Sequence, residues 1–260
     1  MTILEQIIEH KRSEVDRARQ ARPLESFAPR SLEVRDFHAA LSAPGLQIIA
    51  EVKRRSPSGG DLSPDLNPAE LARTYEASGA AAISVLTDEK YFGGSLDDLR
   101  TVRDAVSLPV LRKDFIIDSY QVYESSHGGA DAMLLIADVL EMSDLGRLCE
   151  LCEKLGMQAL VEGYSDAALA KIQALRPPIS GINARDLVTM DLDLAGMLTR
   201  RHLLPEAGLH VAESGITAPE EAAAVSQAGF QAALIGTALV TSGSPGPRLK
   251  QFLAAANGGA

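Results

Sequence analysis

Residues 47–52 read QIIAEV, a nearly unbroken apolar run that stops on a carboxylate, and the stretch that follows is longer, polar on one side and apolar on the other. That pairing recurs. Further short apolar runs stand at 81–86 (AAISVL), 109–112 (PVLR), 132–136 (AMLLI), 158–161 (QALV), 179–182 (ISGI), 209–212 (LHVA) and 232–235 (AALI). Near-continuous apolar runs of this length are strands buried on both faces, as in a parallel sheet, and each spacing accommodates a strand plus a returning helix. Several intervening stretches end in glycine, at Gly79, Gly129, Gly156 and Gly229, where a helix C-terminus needs a left-handed residue. Eight such units in succession predict a (β/α)8 barrel, a TIM barrel in the α/β class. An open doubly wound sheet competes, but that fold more often carries G-x-G-x-x-G after its first strand, and the chain has none.

Outward from the barrel, Thr2-Ile3-Leu4-Glu5 is a capping-box pattern and Ile7, Ile8 and Val15 share one helical face. Residues 20–45, with Pro23, Pro29 and Pro44, read as an irregular connector. The expectation is one barrel domain over residues 1–260, with 1–45 as an N-terminal helical extension. The 260 residues suit a single barrel, and 46% hydrophobic with 23% charged residues fits a folded globular chain. A net charge of −10 disfavours nucleic acid and anionic membranes as partners, so an anionic substrate must meet local positive groups. No leader-like apolar core, membrane-length run or cysteine framework is visible, which makes the cytoplasm the expected compartment.

In such barrels the chemistry lies at the C-terminal ends of the strands. Those ends carry Glu51 and Lys53, Lys113, Glu162, Asn183 and Glu213. A charge at one strand end is merely the first solvated residue of a loop, but here five of the eight ends are polar. Alternation puts Glu51 and Lys53 on one side of their strand, and if that side faces the axis the polar groups converge on one mouth. A lysine there suits general acid catalysis, because burial and neighbouring charge can move its pKa toward working pH. Ser214-Gly215 and Gly236-Thr237, after the seventh and eighth runs, occupy the usual phosphate-binding loops, although ordinary capping also explains each pair. Ser56 and Ser58, in the cationic loop KRRSPSGG, add hydroxyls. Cys149 and Cys152 form C-x-x-C but share a helical apolar face with Leu145, Leu148 and Leu155, which points to core packing. The five histidines show no metal-ligand spacing, and His210 lies at the strand end away from the mouth.

With these residues in place, the chain resembles the indole-3-glycerol phosphate synthases of tryptophan biosynthesis. The resemblance rests on IIAEVKRRSPSGG (48–60), AAISVLTDEKYFGGSLDDL (81–99), LPVLRKDFIIDSYQVYES (108–125), GADAMLLI (129–136), ALVE (159–162), ISGINARDL (179–187), VAESGI (211–216) and LIGTAL (234–239). It implies conversion of 1-(2-carboxyphenylamino)-1-deoxyribulose 5-phosphate to indole-3-glycerol phosphate, carbon dioxide and water, a carboxy-lyase reaction needing no cofactor and no metal. It also implies roles. Lys113 is the general acid for the ketone oxygen and Glu162 the acid/base of the later dehydration. Glu51 and Lys53 orient the substrate, while Asn183 and Glu213 position hydroxyls and Lys113. Ser56, Ser214, Gly215, Gly236 and Thr237 cradle the phosphate, and Phe92 and Phe115 wall the aromatic ring. The expected partner is a small phosphorylated substrate, with other tryptophan-pathway enzymes as further candidates. The chain departs from the family's usual pattern at Gly59, Gly163-Tyr164, Ala184 and Asp186. Two rival readings are a lysine-dependent aldolase, with Lys113 as Schiff base, and a silent barrel kept as a binding partner.

Overall fold

The structure is a computed structural model that describes residues 1–27, 30 and 32–258; Pro29 of the predicted connector lies outside the described residues. The strands are β1 (Gln47–Val52), β2 (Arg55–Ser56), β3 (Gly60–Asp61), β4 (Ala82–Leu86), β5 (Val110–Lys113), β6 (Ala132–Ile136), β7 (Gln158–Gly163), β8 (Ile179–Asn183), β9 (Leu209–Glu213) and β10 (Ala232–Ile235). β1 and β4 to β10 pair in parallel and close in the order β1-β10-β9-β8-β7-β6-β5-β4, while β2 and β3 form a small antiparallel ribbon in the loop after β1. The eight barrel strands are the eight apolar runs of the sequence, each within two residues of its expected bounds.

The helices are α1 (Ile3–Ala21), α2 (Phe37–Leu41), α3 (Pro68–Ala77), α4 (Glu89–Phe92), α5 (Leu96–Ala105), α6 (Ser119–Gly128), α7 (Met142–Lys154), α8 (Asp166–Leu175), α9 (Leu194–Arg200), α10 (Pro219–Gln227), α11 (Thr237–Val240) and α12 (Pro245–Ala256). Gly79, Gly129, Gly156 and Gly229 all have φ between 78° and 96°, the left-handed conformation predicted for chain reversal after a helix. No helix among the described residues is long and apolar enough to cross a membrane.

Strand alternation divides the interior into two cores. Ile49, Leu111, Leu134, Leu160, Val211 and Leu234 pack together inside the barrel. Their neighbours Ile48, Val85, Met133, Val161, Ala212 and Ala233 pack outward against the helices. Glu51, Lys113, Glu162 and Glu213 share the inward parity of the first set, so the fold delivers them to the axis. Cys152 is buried in the outer core and Cys149 packs against it; burial pushes the Cys149 thiol up to about 12 and the Cys152 thiol up as well. Both are free, and core packing is their role.

The N-terminal extension is more ordered than its prolines suggest. The capping box forms, with Glu5 N–H donating to Thr2 Oγ1 at 3.2 Å and Thr2 N–H donating to Glu5 Oε2 at 2.7 Å. Within the predicted connector the chain makes a 3-10 turn at Leu24–Ser26 and then α2. Phe37 and Leu41 of α2 are fully buried in the inner core with Ala82, Ala132, Ile179 and Leu209. Since the Asp36 carboxylate and the His38 N–H both bond the Gln158 side chain at the start of β7, α2 closes the barrel at the end away from the mouth. Sequence reading missed it because five residues are too few to establish a helical period.

Candidate active site

A cavity of about 430 Å³ opens at the C-terminal ends of the strands. Every residue predicted for the site except Glu213 lines it, including Ser56, Phe92, Phe115, Ser214, Gly215, Gly236 and Thr237. Glu213 is fully buried directly beneath, one step behind Lys113.

The polar groups form two linked sets. Lys53 Nζ lies 2.6 Å from Glu51 Oε1. Lys113 Nζ stands between two carboxylates, 3.8 Å from Glu162 Oε2 and 3.7 Å from Glu213 Oε2. Asn183 donates from Nδ2 to Glu162 Oε1 at a long 3.5 Å and accepts from the Arg185 N–H at 2.9 Å, fixing its amide between strand end and loop. Backbone register sets this arrangement, since Asn183 pairs with Glu213 and Glu162 with Gly181 across neighbouring strands. Glycine at position 181 leaves room for Glu213, because a Cβ there would displace Glu213 Oε1.

Charge decides the protonation states. Burial alone would lower the Lys113 pKa, but Glu162, Glu213 and Glu51 together hold it above the ordinary lysine value. This differs from the expectation that the pKa moves toward working pH, because the neighbouring acids, Glu162 first, outweigh desolvation. The raised pKa makes the ammonium the resting form of Lys113, whereas Schiff-base formation requires the free amine, which counts against the aldolase reading. Burial first, then the neighbouring Glu162, pushes Glu213 well above the usual carboxylate range. Burial works in the same direction on Glu51, yet Lys53 and then Lys113 overcome it and keep Glu51 ionised.

Beside this cluster, Ser214 and Gly215 have φ of 66° and 75°. Two consecutive residues with positive φ turn the chain sharply at the mouth, and Ser214 adopts that conformation against the preference of a side-chain-bearing residue. Gly236 and Thr237 follow β10 and open α11. A Cβ on Gly236 would collide with Glu51 Oε1, so any larger residue there must displace the neighbouring acid. Ser56 accepts from the Gly59 N–H at 3.0 Å, holding the β2–β3 ribbon over the cavity. Phe92 and Phe115 face each other with centroids 6.1 Å apart, and Leu134 and Ile136 extend that apolar wall.

Sequence reading passed over the loop after β8. Arg185, Leu187, Met190 and Leu192 line the cavity, and Arg185 donates to the Met190 carbonyl at 2.7 Å to close the loop on itself. The cation two positions after Asn183 was the available signal. Asp186 carries out the turn chemistry of that loop, its carboxylate accepting from the Val188 N–H at 2.7 Å. His210 is buried outside this site, and burial lowers its pKa. Among the described residues no group of three or more histidine, cysteine, aspartate or glutamate side chains is arranged to hold a metal.

Comparison with known proteins now bears on this geometry. A family model described as indole-3-glycerol phosphate synthase matches residues 4–252. Among curated relatives of that name, one from Nocardioides sp. is 45% identical over 250 residues, covering 94% of this chain and 95% of its own. Another from Mycolicibacterium gilvum is 44% identical, covering 94% and 91%. A third from Micrococcus luteus is 42% identical, covering 98% of both chains. Among solved structures, tryptophan synthase subunit alpha from Legionella pneumophila superposes with a TM-score of 0.62 at 17% identity, over 86% of this chain and 98% of that one, a likeness of fold alone.

Proposed function

The chain belongs to the indole-3-glycerol phosphate synthase family, a family of carboxy-lyases acting in tryptophan biosynthesis, and we propose how its own residues divide that reaction. The placement of Lys113 Nζ at the floor of the cavity, 3.8 Å from Glu162 and 3.7 Å from Glu213, is the observation that carries the proposal. The ring carbon bearing the carboxylate attacks the ketone carbon of 1-(2-carboxyphenylamino)-1-deoxyribulose 5-phosphate. Lys113 Nζ gives its proton to the ketone oxygen as that bond forms, so the oxygen leaves the step as a hydroxyl rather than an alkoxide. Carbon dioxide departs, and the electron pair it leaves restores the aromatic ring. The hydroxyl is then lost as water together with a proton from the neighbouring methylene, a step served by Glu162.

Positioning supplies the rest. The loops at Ser214-Gly215 and Gly236-Thr237, with Ser56, hold the phosphate end. Lys53, oriented by Glu51, faces the substrate's anionic carboxylate, and Phe92 and Phe115 take the ring. Asn183 and Glu213 fix Glu162 and Lys113 from below. Phosphate and ring held at separate places bring attacking carbon and ketone together, which is where much of the rate gain in a two-centre closure arises. As further parts of the same proposal, residues 1–260 act as one domain and the enzyme works in the cytoplasm, a compartment that suits its two free thiols. Other tryptophan-pathway enzymes remain candidate partners, for which exposed Val188 and Leu192 at the mouth offer an apolar contact.

The test is a turnover assay with the carboxyphenylamino substrate. The chain contains no tryptophan, so indole fluorescence from the product rises over a background of tyrosine alone. Product formation with release of one carbon dioxide per indole is expected; no product from folded enzyme overturns the proposal.

A further inference from the structure

We propose that Lys11 of α1 is a positioning residue for this reaction: its ammonium, buried between the carboxylates of Asp88 and Asp114, sets where Lys113 and Phe92 stand in the mouth. Ile7, Lys11 and Val15 follow one another at four-residue intervals on the buried face of α1, so a cation sits in the middle of an apolar stripe. Lys11 is fully buried, with Nζ 2.9 Å from Asp88 Oδ2, 2.9 Å from Asp114 Oδ1 and 3.0 Å from Glu14 Oε1. Both partners belong to the active-site wall. Asp114 directly follows Lys113, lines the cavity, and accepts from the N–H of Phe115 at 2.8 Å. Asp88 caps α4 by accepting from the Tyr91 N–H at 2.7 Å, and α4 ends on Phe92.

The ammonium therefore ties together the ends of two adjacent strands. Thr87 repeats the tie, donating from its hydroxyl to Asp114 Oδ2 at 2.6 Å and from its N–H to the Lys113 carbonyl at 3.1 Å. Burial alone would lower the Lys11 pKa, but Asp114, Asp88 and Glu14 hold it up, so the cation is permanent. Burying a charge cluster gains little net stability over well-packed apolar residues. What it does provide is fixed geometry, since each carboxylate oxygen has one place to be. Nothing in the chemistry proposed above uses Lys11; it acts through the residues that do.

The inference rests on Lys113 as the general acid, so the test contains both. Steady-state kinetics are measured for Lys11→Met, Lys113→Ala and the double variant. Lys11→Met is expected to lower kcat by ~10-fold or more, the effect of misplacing an acid by a fraction of an ångström, with inhibition by inorganic phosphate unchanged. In the Lys113→Ala background the same substitution is expected to lower kcat by no more than about twofold, because the acid it positions is gone and only its hold on Phe92 remains. A merely structural Lys11 would cost the same factor in both backgrounds, and that additivity, or a folded Lys11→Met with kcat within twofold of the parent, overturns the proposal. Normal kcat in Lys113→Ala would instead remove the reading it rests on. If Lys11→Met does not fold, Lys11→Met/Asp88→Asn carries the same expectations: the amide oxygen still caps α4, and Asp114 keeps Arg112 at 3.0 Å.

Discussion

The carboxylate of Glu51 occupies the space that a side chain at position 236 would need, so the phosphate loop after β10 and the Glu51–Lys53 ion pair share one boundary. Gly236→Ala should therefore do more than weaken phosphate binding. Glu51 must swing away from a new methyl group, taking Lys53 with it, and kcat is expected to fall ~10-fold while KM rises. Gly236→Asp should be worse on both counts, adding a negative charge beside the anion. Steady-state kinetics check this; a change in KM with kcat intact would show that the two sites are independent.

Phe37 and α2 close the lower end of the inner core. Phe37→Ala removes a fully buried ring and is expected to cost ~3–5 kcal/mol of unfolding free energy. Urea denaturation measures it, and kcat at a temperature where the variant stays folded should be close to the parent's, since α2 is at the far end from the mouth. A loss below ~1 kcal/mol would mean that the core relaxes around the missing ring.

How much of this was legible in the sequence follows from how far each signal reaches. The eight strands and their inward-facing polar ends were visible because alternation is local, and Glu51, Lys113 and Glu162 needed only strand parity to be placed on one axis. The helix-ending glycines were visible for the same reason. Long-range consequences were not. That Gly181 and Gly236 are glycines to make room for Glu213 and Glu51 depends on strands meeting in register. Burial and neighbouring charge are both visible in the sequence as influences on Lys113, but their balance, which raises its pKa, depends on distances between strands. Lys11 did leave a local signal, a lone cation in the apolar stripe of α1, whereas its partners at 88 and 114 could not be inferred from it.

The raised pKa of Glu213 makes a stability prediction with a definite sign. A carboxyl group whose pKa is higher in the folded than in the unfolded chain favours folding fully at pH below its unfolded value, and that contribution is lost as pH rises through the folded value. Glu213→Gln mimics the protonated acid and does not titrate. Its Tm should match the parent's near pH 4 and exceed it increasingly toward pH 8. A Tm difference that does not grow with pH would show that Glu213 is ionised at its ordinary value.

The central claim is that Lys113 acts as an ammonium acid, and the most direct measurement combines its removal with an attempt to trap it. Lys113→Ala should lower kcat by at least the ~10²-fold that general acid catalysis supplies, with a smaller change in KM. Borohydride added to the parent enzyme during turnover should leave its mass unchanged, because an amine held protonated by Glu162, Glu213 and Glu51 forms no imine to reduce. A reduced adduct mapping to Lys113, or near-normal kcat in the folded Lys113→Ala variant, would contradict the account.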